Sequence, residues 1–65
     1  MILNVFVIKL MMAEREMSNG DLASKMGTDN NNLYRVLKRG SCNPKTAGKI
    51  AHALGVHVED IVVRE

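Results

Sequence analysis

The chain has 65 residues, of which 46% are hydrophobic, 25% are charged and only 3% are aromatic. These proportions are typical of a folded globular chain, and the length predicts one small domain, residues 1–65, with a single core. Such a core leaves little room for a catalytic cleft, so the composition argues against an enzyme. Phe6 and Tyr34 are the only aromatic residues, which argues against a stacking platform for single-stranded nucleic acid.

The net charge is only +2, but the positive charge is concentrated in the middle of the chain. Residues 25–49 contain six basic residues and one acidic residue, a local charge of +5. The rest contains three basic and six acidic residues, a charge of −3. A locally basic face is what phosphate binding requires, although a solvated charged surface is an equal alternative at this point.

The cysteine content and the apolar N-terminus indicate the cellular compartment of the protein. Cys42 is the only cysteine, and a single unpaired cysteine fits a reducing, intracellular compartment. Residues 1–12 are apolar except for Asn4 and Lys9, but this run is shorter than the ~20 residues that span a bilayer. It also lacks the charge and small-residue pattern of a signal peptide. We therefore expect a cytoplasmic protein without membrane contact.

Turn-forming residues divide the chain into segments that are typical of short helices. We expect a first helix over about residues 6–16, with Leu10, Met11 and Met17 toward the core. Residues 2–5 are β-prone and form either a short strand or the start of that helix. As a strand, they would pair with residues 61–63 near the other end of the chain.

The second helix is predicted from residue 19 to residue 26. Ser18 is a preferred N-cap, and Asp21 is placed to complete a capping box with it. Gly27 is expected to end this helix, because glycine readily adopts the left-handed conformation of a tight turn.

Three more helices are predicted in the second half of the chain. Asp29 caps a third helix over residues 29–38, and Asn43 with Pro44 starts a fourth, which Gly55 ends. A short turn over residues 58–61 completes five helices. The expected buried stripes are Leu33, Val36 and Leu37 on the third helix and Ala47, Ile50, Ala51 and Leu54 on the fourth.

The second and third helices have the length and spacing of a helix-turn-helix unit, residues 18–38. Ala23 is expected to be small because the third helix crosses closely over it. This contact would hold the third helix clear of the surface, where a DNA major groove can accept it. The predicted packing residues of the unit are Leu22, Ala23, Gly27, Leu33 and Val36.

From residue 8 to residue 61 the sequence resembles the Cro/C1-type (XRE-like) helix-turn-helix repressors. The matching elements are Ser18-x-x-Asp21-Leu22-Ala23, Gly27, Leu33, Val36, Asn43-Pro44, Ile50-Ala51-x-Ala53-Leu54-Gly55-Val56 and Glu59-Asp60-Ile61. The resemblance implies an all-α, five-helix DNA-binding domain similar to lambda repressor, to which the strand pair would be an addition. It also implies a dimeric transcription regulator of prokaryotic or phage type, associated with the nucleoid.

The resemblance implies that the outward face of the third helix reads base edges. Asparagine can bond adenine bidentately, and arginine can do the same with guanine. The alternative is a solvated polar surface whose asparagines form caps and turns. The predicted base-reading residues are Asn30, Asn31, Tyr34 and Arg35; Asn32 is left open between a backbone contact and a cap.

A second group of residues is predicted to bind phosphate. Helix N-termini with nearby cations bind phosphate because free N–H groups and the helix dipole point at it. Ordinary capping is compatible with this role. The group comprises Ser18, Asn19, Lys38, Arg39, Ser41, Asn43 and Lys45; for Lys25 and Lys49, plain solubility is an equal alternative.

No cofactor or metal site is expected. His52, His57 and Cys42 lack the paired-ligand spacing of a metal centre. The sequence thus predicts a sequence-specific, double-stranded-DNA-binding repressor on a near-palindromic site, dimerising through residues 56–63 with a contribution from the N-terminal strand. The alternative is an antitoxin-like module that binds a protein partner and regulates its own synthesis.

Overall fold

The computed structural model describes residues 1–64 of the chain. Its helices are α1 (Val5–Glu14), α2 (Asn19–Met26), α3 (Asn30–Arg39) and α4 (Pro44–Leu54). Strands β1 (Ile2–Leu3) and β2 (Val62–Val63) form an antiparallel pair, with Ile2 opposite Val63 and Leu3 opposite Val62. The predicted fifth helix is only one 3-10 turn, Val58–Asp60. The fold is therefore mostly helical with a small sheet, and not all-α.

The N-terminal segment settles the choice between strand and helix. Residues 2–3 are a strand, and Asn4 then caps α1 by accepting a hydrogen bond from the backbone N–H of Val7 at 3.2 Å. The helix begins one residue earlier and ends two residues earlier than predicted. Glu16 has a φ of +52°, in the left-handed region that few non-glycine residues adopt, so it lies outside the helix.

The core-facing side of α1 differs from the prediction at one position. Ile8 and Met12, one turn apart, are buried, and Met11 and Met17 pack partly against the core. Leu10, which was expected in the core, is 47% exposed. It lies two residues from both Ile8 and Met12, and a separation of two residues places side chains on opposite sides of a helix.

The core contains the predicted packing residues Leu22 and Ala23 of α2 and most of the predicted stripes of α3 and α4. Val36 and Met26 pack against it from partly buried positions, whereas Leu37 is buried. Asp29 and Asn43 cap α3 and α4 through their side chains, as predicted. The buried residues are Leu3, Ile8, Met12, Leu22, Ala23, Leu33, Leu37, Ala47, Ile50, Ala51, Leu54 and Ile61.

Ala23 lies where α2 packs against its neighbours. Its exposed fraction is 1%, and it belongs to the same buried cluster as Leu33. Helix α2 contacts both α3 and α4. A side chain longer than a methyl group at this position would have to push these helices apart, because protein interiors are close-packed.

Leucine at position 23 should therefore destabilise the fold. We expect Ala23→Leu to lower the free energy of unfolding by about 1–3 kcal/mol, measured by urea denaturation. Ala13→Leu makes the same change at an exposed helical position, and we expect it to stay within about 0.5 kcal/mol of the wild type. Equal stability of the two variants would contradict the close packing at Ala23.

The capping box of α2 makes the stability of the fold depend on pH. The Asp21 carboxylate accepts a hydrogen bond from the backbone N–H of Ser18 at 2.8 Å, and the Ser18 hydroxyl accepts one from the backbone N–H of Asp21 at 3.0 Å. The bond from the Ser18 backbone and the nearby Ser18 hydroxyl lower the pKa of Asp21 from its ordinary value of 3.8. Because folding favours the charged carboxylate, its contribution to stability is present above that value.

We expect the wild type to lose stability relative to Asp21→Asn as the pH falls from the ordinary value of 3.8 down through the lowered pKa of the folded state. Urea denaturation across this range measures the difference. In Ser18→Ala the backbone bond remains but the hydroxyl is gone, so the pH dependence should be reduced without disappearing. Parallel pH profiles of the wild type and Asp21→Asn would contradict a pKa lowered by folding.

Candidate nucleic-acid interface

A tight turn joins α2 and α3 and sets their relative orientation. Gly27 has a φ of +75° and ends α2 in the left-handed conformation, as predicted. The backbone N–H of Thr28 then donates to the carbonyl of Ala23 at 3.0 Å. Asp29 starts α3 at once, because its carboxylate accepts a hydrogen bond from the backbone N–H of Asn32 at 2.6 Å. Only two residues, Thr28 and Asp29, therefore separate the glycine from α3.

Helix α3 is strongly two-sided. Leu33 and Leu37, one turn apart, are buried against the core. Asn31 and Arg35, also one turn apart, are both exposed and lie on the opposite side of the helix. All four residues predicted to read bases are exposed, so the structure presents them to solvent on one element.

The two asparagines at the helix starts are joined. The side-chain amide of Asn19 donates to the side-chain oxygen of Asn30, and also to the Asn30 backbone carbonyl at 3.4 Å. This bridge ties the first turn of α2 to the first turn of α3. Since the Asn30 oxygen already accepts this bond, its N–H groups are the donors left for a further partner.

Asn32 and Tyr34 have different local partners. The Asn32 side chain donates to the Thr28 hydroxyl at 2.9 Å, so it supports the turn. Tyr34 is 59% exposed, and the Lys38 ammonium lies 6.0 Å from the centroid of its ring. At this distance the ring attracts the cation and holds it near the outward face of α3.

The residues predicted to bind phosphate lie at two places. Ser18 and Asn19 are at the start of α2, whereas the others lie in the last turn of α3 (Lys38 and Arg39), in the loop that follows it (Ser41) or at the start of α4 (Asn43 and Lys45). The side-chain oxygen of Asn43 accepts a hydrogen bond from the Thr46 backbone at 2.8 Å, which leaves its N–H groups free. Lys38, Arg39 and Lys45 are exposed, and Ser41 is half-buried.

The N-terminal strand holds the loop between α3 and α4, a contact that sequence reasoning missed. The backbone N–H of Leu3 donates to the carbonyl of Gly40 at 2.9 Å, and that of Cys42 donates to the carbonyl of Met1 at 3.0 Å. Ile2 also forms an isolated antiparallel bridge with Ser41. Strand β1 therefore lies between β2 and this loop. Backbone pairing of this kind between distant segments leaves no local sequence signal.

Two shallow hollows flank the interface. One, of about 540 Å³, lies between α1 and α3 and is lined in part by Lys9 and Lys38. The other, of about 380 Å³, lies between α2 and α4 and brings together Lys25, Lys49 and His52 beside Lys45. Sequence reasoning did not select Lys9, because it lies outside the helix-turn-helix unit.

The remaining candidate groups show no reactive arrangement. Within residues 1–64, no three side chains of histidine, cysteine, aspartate or glutamate are close enough to hold a metal ion. His52 and His57 are exposed. Cys42 is half-buried, and this burial raises the pKa of its thiol, which disfavours the reactive thiolate. The helices described in this part of the chain are too short to cross a bilayer.

Comparison with known proteins identifies the family. Residues 7–65 match the model of the Cro/C1-type HTH DNA-binding domain, a non-enzymatic family. Comparisons with curated proteins and with solved structures give no significant match. The match covers most of the chain and includes both helices of the unit described above. The chain therefore belongs to the Cro/C1-type helix-turn-helix DNA-binding domain family.

Proposed function

We propose that this protein is a sequence-specific transcription regulator that binds double-stranded DNA as a dimeric repressor. The observation that carries the proposal is the two-sided character of α3. Its apolar side, with Leu33 and Leu37, is buried, while Asn31 and Arg35 are free to meet a ligand. A helix held in this way fits into a major groove about 12 Å wide.

Base reading falls to the exposed face of α3. Asn31 offers a donor and an acceptor to adenine, and Arg35 offers two parallel donors to guanine. Asn30 contributes through its remaining N–H groups, since its oxygen is bonded to Asn19. Tyr34 adds a hydroxyl and an exposed ring beside them. Such contacts specify sequence, whereas contacts to phosphate set the position of the protein.

Phosphate contacts come from the helix starts and the loop around α3. The N-termini of α2 and α4 carry unpaired backbone N–H groups, which favour anions. Lys38, Arg39 and Lys45 add positive charge from exposed positions on either side of the loop. Ser41 lies in the part of the loop that pairs with β1. Its backbone is therefore held in place in the free protein, before DNA binds.

The short length of α3 favours binding as a dimer. Helix α3 has 10 residues and is about 15 Å long, so one copy reads only part of a specific site. Two copies related by a two-fold axis would place their α3 helices about 34 Å apart on a near-palindromic operator. The longest extent of one copy is 28 Å, which suits two copies side by side.

The predicted dimer segment, residues 56–63, has few apolar side chains left for a partner. Ile61 is fully buried, and Val56, Val58 and Val62 pack against the protein's own core. Val63 is 45% exposed, and Ile2, opposite it in the sheet, is 46% exposed. Within residues 1–64 only β1 pairs with β2, so the free edge of β2 offers unpaired backbone groups to a second copy.

A second candidate function rests on a different surface. Phe6 is 72% exposed and Leu10, one turn further along α1, is 47% exposed. Adjacent exposed apolar side chains of this size are typical of protein–protein contacts. They favour an antitoxin-like module that binds a partner protein and also binds DNA to regulate its own synthesis. DNA selectivity separates the two candidates.

Fluorescence anisotropy with random and selected duplexes at several salt concentrations tests the proposed function. We expect selected DNA to bind more tightly than random DNA, with an affinity that falls steeply as salt rises. Asn31→Ala and Arg35→Ala should each cost about 1–3 kcal/mol at one base pair and relax the preference there. Lys38→Ala and Arg39→Ala should weaken all duplexes alike and reduce the salt slope by about 1 for each bound copy.

These two classes of variant are each other's controls, because both change exposed side chains of α3. If selected DNA binds no better than random DNA, the regulator is excluded and the interaction module is favoured. If Asn31→Ala and Arg35→Ala leave the base preference intact, α3 is not the reading helix.

Analytical ultracentrifugation tests the dimer. We expect a concentration-dependent dimer that Val63→Asp dissociates, because a charge on each copy would face the same charge at the two-fold axis. Phe6→Asp introduces the same charge on the α1 surface and should leave the dimer intact. A wild type that remains monomeric at tens of micromolar, both free and on DNA, would rule out the symmetric operator.

A further inference from the structure

The hollow between α1 and α3 has a distinct chemical character. Its base includes Met12 and Leu37, which are buried apolar side chains. Its rim includes Lys9 from α1 and Lys38 from α3, both exposed, with Asn19 and Tyr34 between them in the lining. The volume is about 540 Å³. The hollow, named here the α1–α3 groove, thus combines an apolar base with cations at its edge.

The charge of the α1–α3 groove indicates which kind of ligand binds there. Two lysines line the groove, and within residues 1–64 no aspartate or glutamate is among its lining residues. An anion is therefore attracted from both helices, and the Tyr34 hydroxyl adds a hydrogen-bond donor. The apolar base favours a ligand that also carries apolar surface. A DNA strand has this composition, since charged phosphates alternate with largely apolar sugars.

The α1–α3 groove is continuous with the proposed DNA surface. Lys38 and Asn19 belong to the proposed phosphate contacts, and Tyr34 belongs to the proposed reading face. Lys9 is the addition, and it comes from a helix outside the helix-turn-helix unit. Its position follows from the burial of Ile8 and Met12, which sets the rotation of α1 about its axis.

We propose that the α1–α3 groove seats one phosphodiester strand of the bound duplex and that Lys9 contacts a phosphate there. This inference rests on the proposed DNA-binding function. It makes α1 a DNA-contacting element beside α3: while α3 occupies the major groove, the strand that borders that groove runs between Lys9 and Lys38.

Salt dependence of DNA binding tests the role of Lys9. Each phosphate contact contributes about 0.9 to the slope of log affinity against log salt. Each copy of the proposed dimer supplies one Lys9, so Lys9→Gln should lower the slope by about 0.9 per bound copy, or about 1.8 for the dimer. Raising salt from about 50 to about 200 mM should then weaken its binding roughly 12-fold less than that of the wild type. Arg64→Gln is the matched control, because Arg64 is exposed and lines a separate hollow beside β2.

Two further variants test whether the charge in the α1–α3 groove, and not the shape of the Lys9 side chain, determines DNA binding. Lys9→Arg keeps the charge and should keep the wild-type slope. Ala13→Glu places a carboxylate at an exposed lining position of the α1–α3 groove. It should weaken binding to every duplex and leave the base preference unchanged. Thermal unfolding checks that all variants stay folded.

A modified duplex locates the contact. Replacing single phosphates of a selected duplex by uncharged methylphosphonates should reveal one position whose modification weakens the wild type but has little effect on Lys9→Gln. A Lys9→Gln slope equal to that of the wild type, or loss of slope in Arg64→Gln by the same amount, would overturn the role of Lys9 while leaving the proposed function intact. A wild type without salt-dependent duplex binding would overturn the proposed function itself.

Discussion

The close approach of α2 and α3 holds the candidate interface in place. A methyl group at position 23 and a left-handed glycine at position 27 allow the two helices to pack on one core while α3 keeps one side in solvent. Hydrogen bonds from Asn19 to Asn30 and from Asn32 to Thr28 then fix the helix starts and the turn relative to each other. The polar side of α3 is thereby presented by a rigid support, which limits the conformational entropy lost when a ligand binds.

Strand β1 links regions that are far apart in the chain. It pairs with β2 on one side and with the loop after α3 on the other. The same two residues therefore connect the proposed dimer surface with a loop that carries proposed phosphate contacts. In a chain of 65 residues, with no disulfide to restrain it, these backbone bonds compensate in part for a small core.

The α1–α3 groove and the hollow beside β2 are formed by different residues. Lys9 and Lys38 line a groove without carboxylates, while Glu59 lies with Arg64 beside β2, where apolar Val63 is exposed. DNA binding and self-association can therefore occupy separate surfaces. Phe6 and Leu10 form an exposed apolar patch on α1, and Phe6 lies one turn from Lys9 on the same side of that helix.

Local signals in the sequence determined most of the fold and the makeup of the candidate site. Ser18, Asp29 and Asn43 start helices, and Gly27 ends one, through interactions within a few residues. The alternation of apolar and polar residues likewise determined which side of α3 is exposed. Tertiary structure alone decided that Leu10 faces solvent, that β1 binds the loop at residue 41, and that Lys9 lies across a groove from Lys38. These features depend on how α1 is rotated and on pairing between residues about 30 to 60 positions apart, and no local pattern encodes such long-range geometry.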